Sequence, residues 1–264
     1  MYPRWILTLL KVLLATGNGQ RGRGKRSQAE GEKNIRSNLV YLCVLQRPTL
    51  LADQKVTQLE TELDKIKWNI EGLSEVRRRE ESQITLKTGH IFHYRGEEET
   101  SNIGVGMIVH KKPLYQIIAN LIEMKRVFTL TSTSSEKDLD AFHKTINDEL
   151  EENTNYHTLL ISNLNTKLGR KKDEAETSLG THGFDERNER GSTPQLLPRT
   201  LSLFNNYFFA KRLQRKWTWI SSDGNTKNEI DCIITNRKEK VHDVAVLNRL
   251  FIGSDHRMIR TKVS

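Results

Sequence analysis

Only two cysteines, Cys43 and Cys232, occur among the 264 residues. So few exclude a disulfide framework and a cysteine-built zinc site. A reducing, intracellular setting, nuclear or cytoplasmic, is the expectation. Long apolar runs are also lacking: none reaches the ~18 residues of a membrane-spanning helix, so no membrane partner is expected. The longest apolar cluster, Trp5 to Ala15, is broken by Lys11. With Arg4 ahead of it, it reads as a weak signal peptide or a short amphipathic leader. No internal repeat is present. Hydrophobic residues make up 36% against 28% charged, which is polar for a globular chain but short of disorder throughout. One or two domains fit this length, with room for one sizeable core.

Positive charge is in surplus. The net charge of +9 hints at a polyanionic partner. Most of it lies early, because residues 1–36 hold eight Lys or Arg against only Glu30 and Glu32. Residues 16–37 are rich in Gly, Arg, Lys, Ser, Asn and Glu and read as a flexible linker. Residues 1–44 are therefore read as a basic leader and linker, disordered or helical, and residues 45–264 as the folded domain.

From residue 45 onward strands alternate with helices. Val56, Leu59, Leu63 and Ile66 share one face of a helix, and Leu139, Phe142, Ile146 and Leu150 share a face of a second. Glu71–Val76, Ile91–Tyr94, Ile103–His110, Thr158–Ser162, Val241–Leu247 and Met258–Val263 read as strands. Trp217–Ile220, the Asp223-Gly224 turn and Glu229–Thr235 read as a hairpin. Strands dominate, and hairpins replace crossovers late in the chain. The fold class this predicts is α/β: a four-layer α/β sandwich, two packed mixed β-sheets flanked by helices.

Four short stretches put polar residues at the ends of apolar strands, where side chains reach a common mouth. Leu73-Ser74-Glu75-Val76 ends in an acid able to ligate Mg²⁺, which takes hard oxygen donors. Asn163 and Asn165 alternate around Leu164. Their amides can bond a phosphate or a water but cannot act as a base. Asp231, in Asn228-Glu229-Ile230-Asp231, can orient an imidazole. Gly253-Ser254-Asp255-His256 sets an acid beside an imidazole on a turn. Each stretch alone is also what an ordinary strand end or hairpin carries. Together they describe a Mg²⁺-assisted phosphodiesterase site, with the ion stabilising charge on the leaving oxygen.

In their order these stretches resemble the endonuclease/exonuclease/phosphatase superfamily. More closely they resemble the apurinic-type endonucleases of non-LTR retrotransposons, including craniofacial development protein 2-like proteins. Arg187-Asn188-Glu189-Arg190-Gly191, Trp217-Thr218-Trp219 and Ser222-Asp223-Gly224 extend the likeness over roughly residues 45–263. The resemblance implies Mg²⁺ (Mn²⁺ as a substitute) and DNA as partner. It implies Glu75 and Asp255 as metal ligands, His256 facing the phosphate, Asp231 orienting it, and Asn165 as a phosphate-binding amide. The substrate side would include Gln46, Phe128, Arg77 and Trp219.

Departures accompany the likeness. Asn163 stands where the family has the Asp that activates water or stabilises charge. Phe128 stands near a family Tyr and lacks its hydroxyl. Gln46 stands near an early family Asn, in a segment where Pro48 disfavours a strand interior. Between Arg126 and Thr131 the chain lacks a strand-turn-strand that relatives carry. Two readings follow: a retrotransposon-type Mg²⁺-dependent DNA endonuclease with impaired activity, or a catalytically silent remnant that at most binds nucleic acid or protein. For DNA, Arg77, Arg78 and Arg79, and the stretch Lys211, Arg212, Arg215 and Lys216 beside Trp217 and Trp219, are candidate phosphate and groove contacts.

Overall fold

The computed structural model describes residues 4–12, 39–46, 50–96, 104–112, 122–131, 159–163, 167–188 and 203–264, less a few positions inside these spans, with scattered positions in 135–148. In chain order the elements are β1 (Arg4–Val12), β2 (Val40–Leu45), helix α1 (Asp53–Leu63), β3 (Ile70–Ser74), β4 (Glu81–Thr85), β5 (Ile91–Gly96), β6 (Gly104–Val109), β7 (Ile122–Thr131), β8 (Leu159–Asn163), β9 (Leu203–Phe204), β10 (Trp219–Ile220), β11 (Lys227–Asn228), β12 (Asp231–Thr235), β13 (Val241–Val246) and β14 (Ile259–Val263).

Two sheets pack face to face. The larger runs β13-β14-β2-β3-β6-β5-β4 and the smaller β7-β1-β8-β12-β9, with β10 and β11 as a separate pair. Alternation along β2 shows why the layers form. Val40, Leu42 and Val44 enter the core between the sheets, with Ile70, Met107, Leu159 and Ile233. Cys43 and Leu45 face the other way, into a second core with Val56, Leu59 and Leu63 of α1. The 3-and-4 spacing on α1 thus covers the outer face of the larger sheet, as an amphipathic helix must. The four-layer α/β architecture stands. Of the second expected helix, Lys137, Ala141, Lys144 and Asp148 are helical and exposed, while Leu139, Phe142, Ile146 and Leu150 lie outside the described residues.

Two parts of the expected leader are strands instead. β2 begins at Val40 and is central in the larger sheet, so the boundary at 44/45 cuts through a core element. β1 lies between β7 and β8, antiparallel to both. Its near-continuous run of Trp, Ile, Leu and Val is what a strand paired on both edges carries, and so short a run has no period that separates strand from helix. Only the larger sheet is mixed, through its parallel pair β2–β3. The smaller is antiparallel throughout because β1 runs against both neighbours. Residues 126–131, where the resemblance implies a missing strand-turn-strand, belong to β7, which pairs with β1.

One polar group sits inside the apolar layer under α1. Glu71 of β3 is wholly buried, opposite Cys43 of β2. Among the described residues its carboxylate oxygens meet no partner of ordinary hydrogen-bond geometry, the Cys43 thiol being the polar group beside it. Burial pushes the Glu71 carboxyl well above the carboxylate range. The folded state therefore holds it neutral where the unfolded chain ionises it. Stability is whole below the unfolded value and falls as pH rises above it. Glu71→Gln removes this titration and should stabilise the fold at pH 7. The gain should vanish near pH 4. Urea melts of both chains at the two pH values check this.

Candidate active site

Strand direction brings the polar ends together. β2 and β3 run parallel, so Gln46 and Ser74-Glu75 emerge at the same end. β14 runs against β2 with Ile259 opposite Val44, which brings Ser254–His256 to that end too. In the smaller sheet, Asn163 at the end of β8 lies opposite Asp231 at the start of β12. Directly opposed residues of antiparallel strands share a face, so the Asn163 amide and the Asp231 carboxylate are neighbours.

Hydrogen bonds tie the segments into one cluster. The Ser74 hydroxyl donates to the Gln46 side-chain carbonyl. The Ser254 hydroxyl donates to the Gln46 backbone oxygen at 2.8 Å and accepts the His256 backbone N–H at 2.9 Å. Glu75 and His256, far apart in sequence, thus lie on one side of the molecule, joined through Gln46. His256 Nδ1 lies 2.8 Å from Asp231 Oδ2, and both side chains are almost fully buried. An ionised carboxylate only accepts, so Nδ1 carries the proton and Nε2 is the basic nitrogen of the neutral ring.

Two residues missed from sequence fix the Asp231 backbone. The Thr218 hydroxyl, fully buried, accepts the N–H of Ile230 at 3.1 Å and of Asp231 at 3.0 Å. The Asn206 amide donates to the Asp231 carbonyl at 2.8 Å. For Thr218 the available signal was a hydroxyl between two tryptophans ahead of a strand. For Asn206 there was none. The Trp219 indole N–H donates to Asp255 Oδ2 at 3.0 Å.

Glu75 sits on a strained turn. Glu75, Arg77 and Glu80 have φ of 55°, 60° and 62°, in the left-handed region that costs a residue with a Cβ about 1–2 kcal/mol. The turn is held by packing. Val76 N–H donates to the Gly104 carbonyl at 3.0 Å and Gly96 N–H to the Glu80 carbonyl at 2.7 Å. A Cβ on Gly96 would run into the Arg78 carbonyl. Gly96→Ala should therefore displace this turn and cost about 2 kcal/mol. A thermal melt reads the loss, and the Glu75 backbone resonance should move with it.

The remaining candidates divide. Arg77 Nη2 is 4.0 Å from Glu75 Oε2, at the cluster. Arg78 lies over Phe92 and Tyr94 and donates to the Leu50 carbonyl and to Asp53, so it is structural. Lys216, read as a surface cation, is buried and its ammonium donates to the His182 carbonyl. Burial lowers its pKa, with Glu229 opposing. Lys211 pairs with Asp243 at 2.5 Å, while Arg212 and Arg215 are exposed. Asn165 lies outside the described residues, and Phe128 is described only as backbone, on β7.

Among the described residues no three His, Cys, Asp or Glu side chains gather as a ligand cluster. Glu75 and Asp255 contribute two carboxylates. Mg²⁺ commonly takes one or two, with waters completing its shell, so the donor chemistry fits such an ion.

Two stacked sheets, the larger mixed and the smaller antiparallel, have a known counterpart. The chain has the fold of the endonuclease/exonuclease/phosphatase proteins. It superposes on a member of that family from Leptotrichia buccalis C-1013-b with TM-score 0.50 and 15% identity, over 85% of this chain and 99% of that one. The AP endonuclease of Leishmania major gives TM-score 0.52 and 11% identity, over 85% and 87%. In sequence the chain is similar to craniofacial development protein 2 of Tragulus javanicus, 24% identical over 229 residues, or 79% of this chain. The chain spans about two fifths of that relative's length, 39%. No protein-family model matches the chain.

Proposed function

We propose that this chain is a retrotransposon-type, Mg²⁺-dependent DNA endonuclease unit whose hydrolytic step is impaired. The observation that carries the reading is the buried Asp231–His256 pair with Asn163 opposite Asp231. Asp231 fixes the imidazole tautomer and favours a positive charge on the ring, so His256 Nε2 can hold a proton at a phosphate oxygen. Glu75 and Asp255 would hold Mg²⁺ or Mn²⁺, which supplies Lewis-acid stabilisation of charge on the leaving oxygen. Gln46, Arg77 and the Trp219 ring would form the substrate side, to which the resemblance alone adds Phe128, with Asn165 as a phosphate-binding amide. An amide at position 163 can bond a water but cannot take its proton, so position 163 supplies no base.

A supercoiled-plasmid assay with Mg²⁺ tests this. Slow nicking is expected from the chain, and none from His256→Ala. Brisk nicking that survives His256→Ala would overturn the reading. The second reading, a silent remnant that only binds nucleic acid, is favoured by the same Asn163. It predicts salt-dependent DNA binding with no nicking at any protein concentration.

A further inference from the structure

We infer that Trp219 is a positioning residue for Asp255, its indole N–H holding one carboxylate oxygen and so aiming the other. The inference deepens the metal reading above and rests on it only for what the second oxygen serves.

An indole nitrogen can only donate and a carboxylate oxygen can only accept, so the 3.0 Å contact between Trp219 Nε1 and Asp255 Oδ2 has one polarity. Bonds of this charge-assisted kind are stronger than neutral ones. Committing Oδ2 stops rotation about the last side-chain bond of Asp255. The indole itself is fixed from below. Trp219 forms a bridge with His256. Ile220 N–H donates to the Asp255 carbonyl at 3.1 Å, and Arg257 N–H to the Thr218 carbonyl at 2.7 Å. Residues 218–220 and 255–257 therefore form one short ladder carrying both partners. The ladder is braced from outside, where Arg257 lies over the Trp217 ring and donates to the Gln214 carbonyl at 3.0 Å. Thr218, in the same segment, holds the Asp231 backbone. The Trp-Thr-Trp stretch thus aligns both acids of the turn and hairpin, and Trp219 is only half-buried there.

The test follows the Trp219 indole proton by NMR and counts bound Mn²⁺ by electron paramagnetic resonance. In the full chain that proton should be downfield and protected from exchange. It should move upfield and lose protection in Asp255→Ala. In Trp219→Phe, which keeps an aromatic ring and loses the donor, Mn²⁺ affinity should fall about tenfold. The inference is overturned by an indole proton indifferent to Asp255→Ala, or by Mn²⁺ binding that needs Asp255 yet is unchanged in Trp219→Phe. Should Trp219→Phe not fold, the Asp255→Ala shift alone decides. An indole proton that responds as expected, in a chain that binds no Mn²⁺, supports the positioning role and removes the metal reading instead.

Discussion

Removal of residues 1–12 should abolish cooperative unfolding. β1 pairs along its nine residues with β7 on one edge and with the whole of β8 on the other. Among the described residues β7 has no other partner within the smaller sheet. Its loss leaves β7 unattached and opens the β8 edge, so a row of backbone donors and acceptors goes unpaired. Each such group, if buried, costs about 1–3 kcal/mol. A domain has only about 5–15 kcal/mol in hand, so several together exhaust it. Circular dichroism melts of the full and shortened chains decide the matter. An unchanged midpoint would show that β1 contributes nothing to the sheet. The site should report the same loss, because Ile6 is the register partner of Asn163. A synthetic peptide of residues 1–15, added to the shortened chain, should restore the transition in part, since the missing strand can enter from solution.

Why β1 escaped a reading from sequence is physical. Trp5–Leu10 is apolar but for Thr8 and shows no alternation to mark it as a strand, and a basic linker-like segment follows it. β4 escaped for the opposite reason. Glu81–Thr85 is an edge strand, largely exposed, so nothing in it needs to be apolar. By contrast α1 was legible because one face meets the larger sheet and the other meets water. Asp231 and His256 were legible as separate strand-end residues and through their order along the chain. Their 2.8 Å contact was not, because it depends on β12 and β14 belonging to different sheets that meet at one mouth. Lys216 was misread since charge at hairpins is usually solvated. Here a backbone carbonyl, that of His182, takes the place of water.

Asn163→Asp should raise nicking by about 10²–10⁴, the range a general base or acid typically contributes. The side chain is buried and faces Asp231 across the strand pair. Opposed residues of this kind have Cβ atoms about 4.5–5.5 Å apart. A carboxylate placed there adds a proton acceptor beside the Asp231–His256 pair at little change in volume. It also sets two negative charges against each other, so the new group ionises at a higher pH than an isolated Asp. Two consequences separate this from a general loosening of the site. The gain in nicking should appear only as pH rises through that raised value. Over the same interval the variant should lose stability relative to the parent, because the unfolded chain ionises the new acid more readily. In acid, where both states keep it protonated, the two melts should coincide. Plasmid nicking from pH 5 to 8 and thermal melts from about pH 3 to 8 measure both. An intact melt with no gain in nicking at any pH would mean that the amide at 163 is not what slows the reaction, which leaves the other departures, Phe128 and Gln46, to account for it.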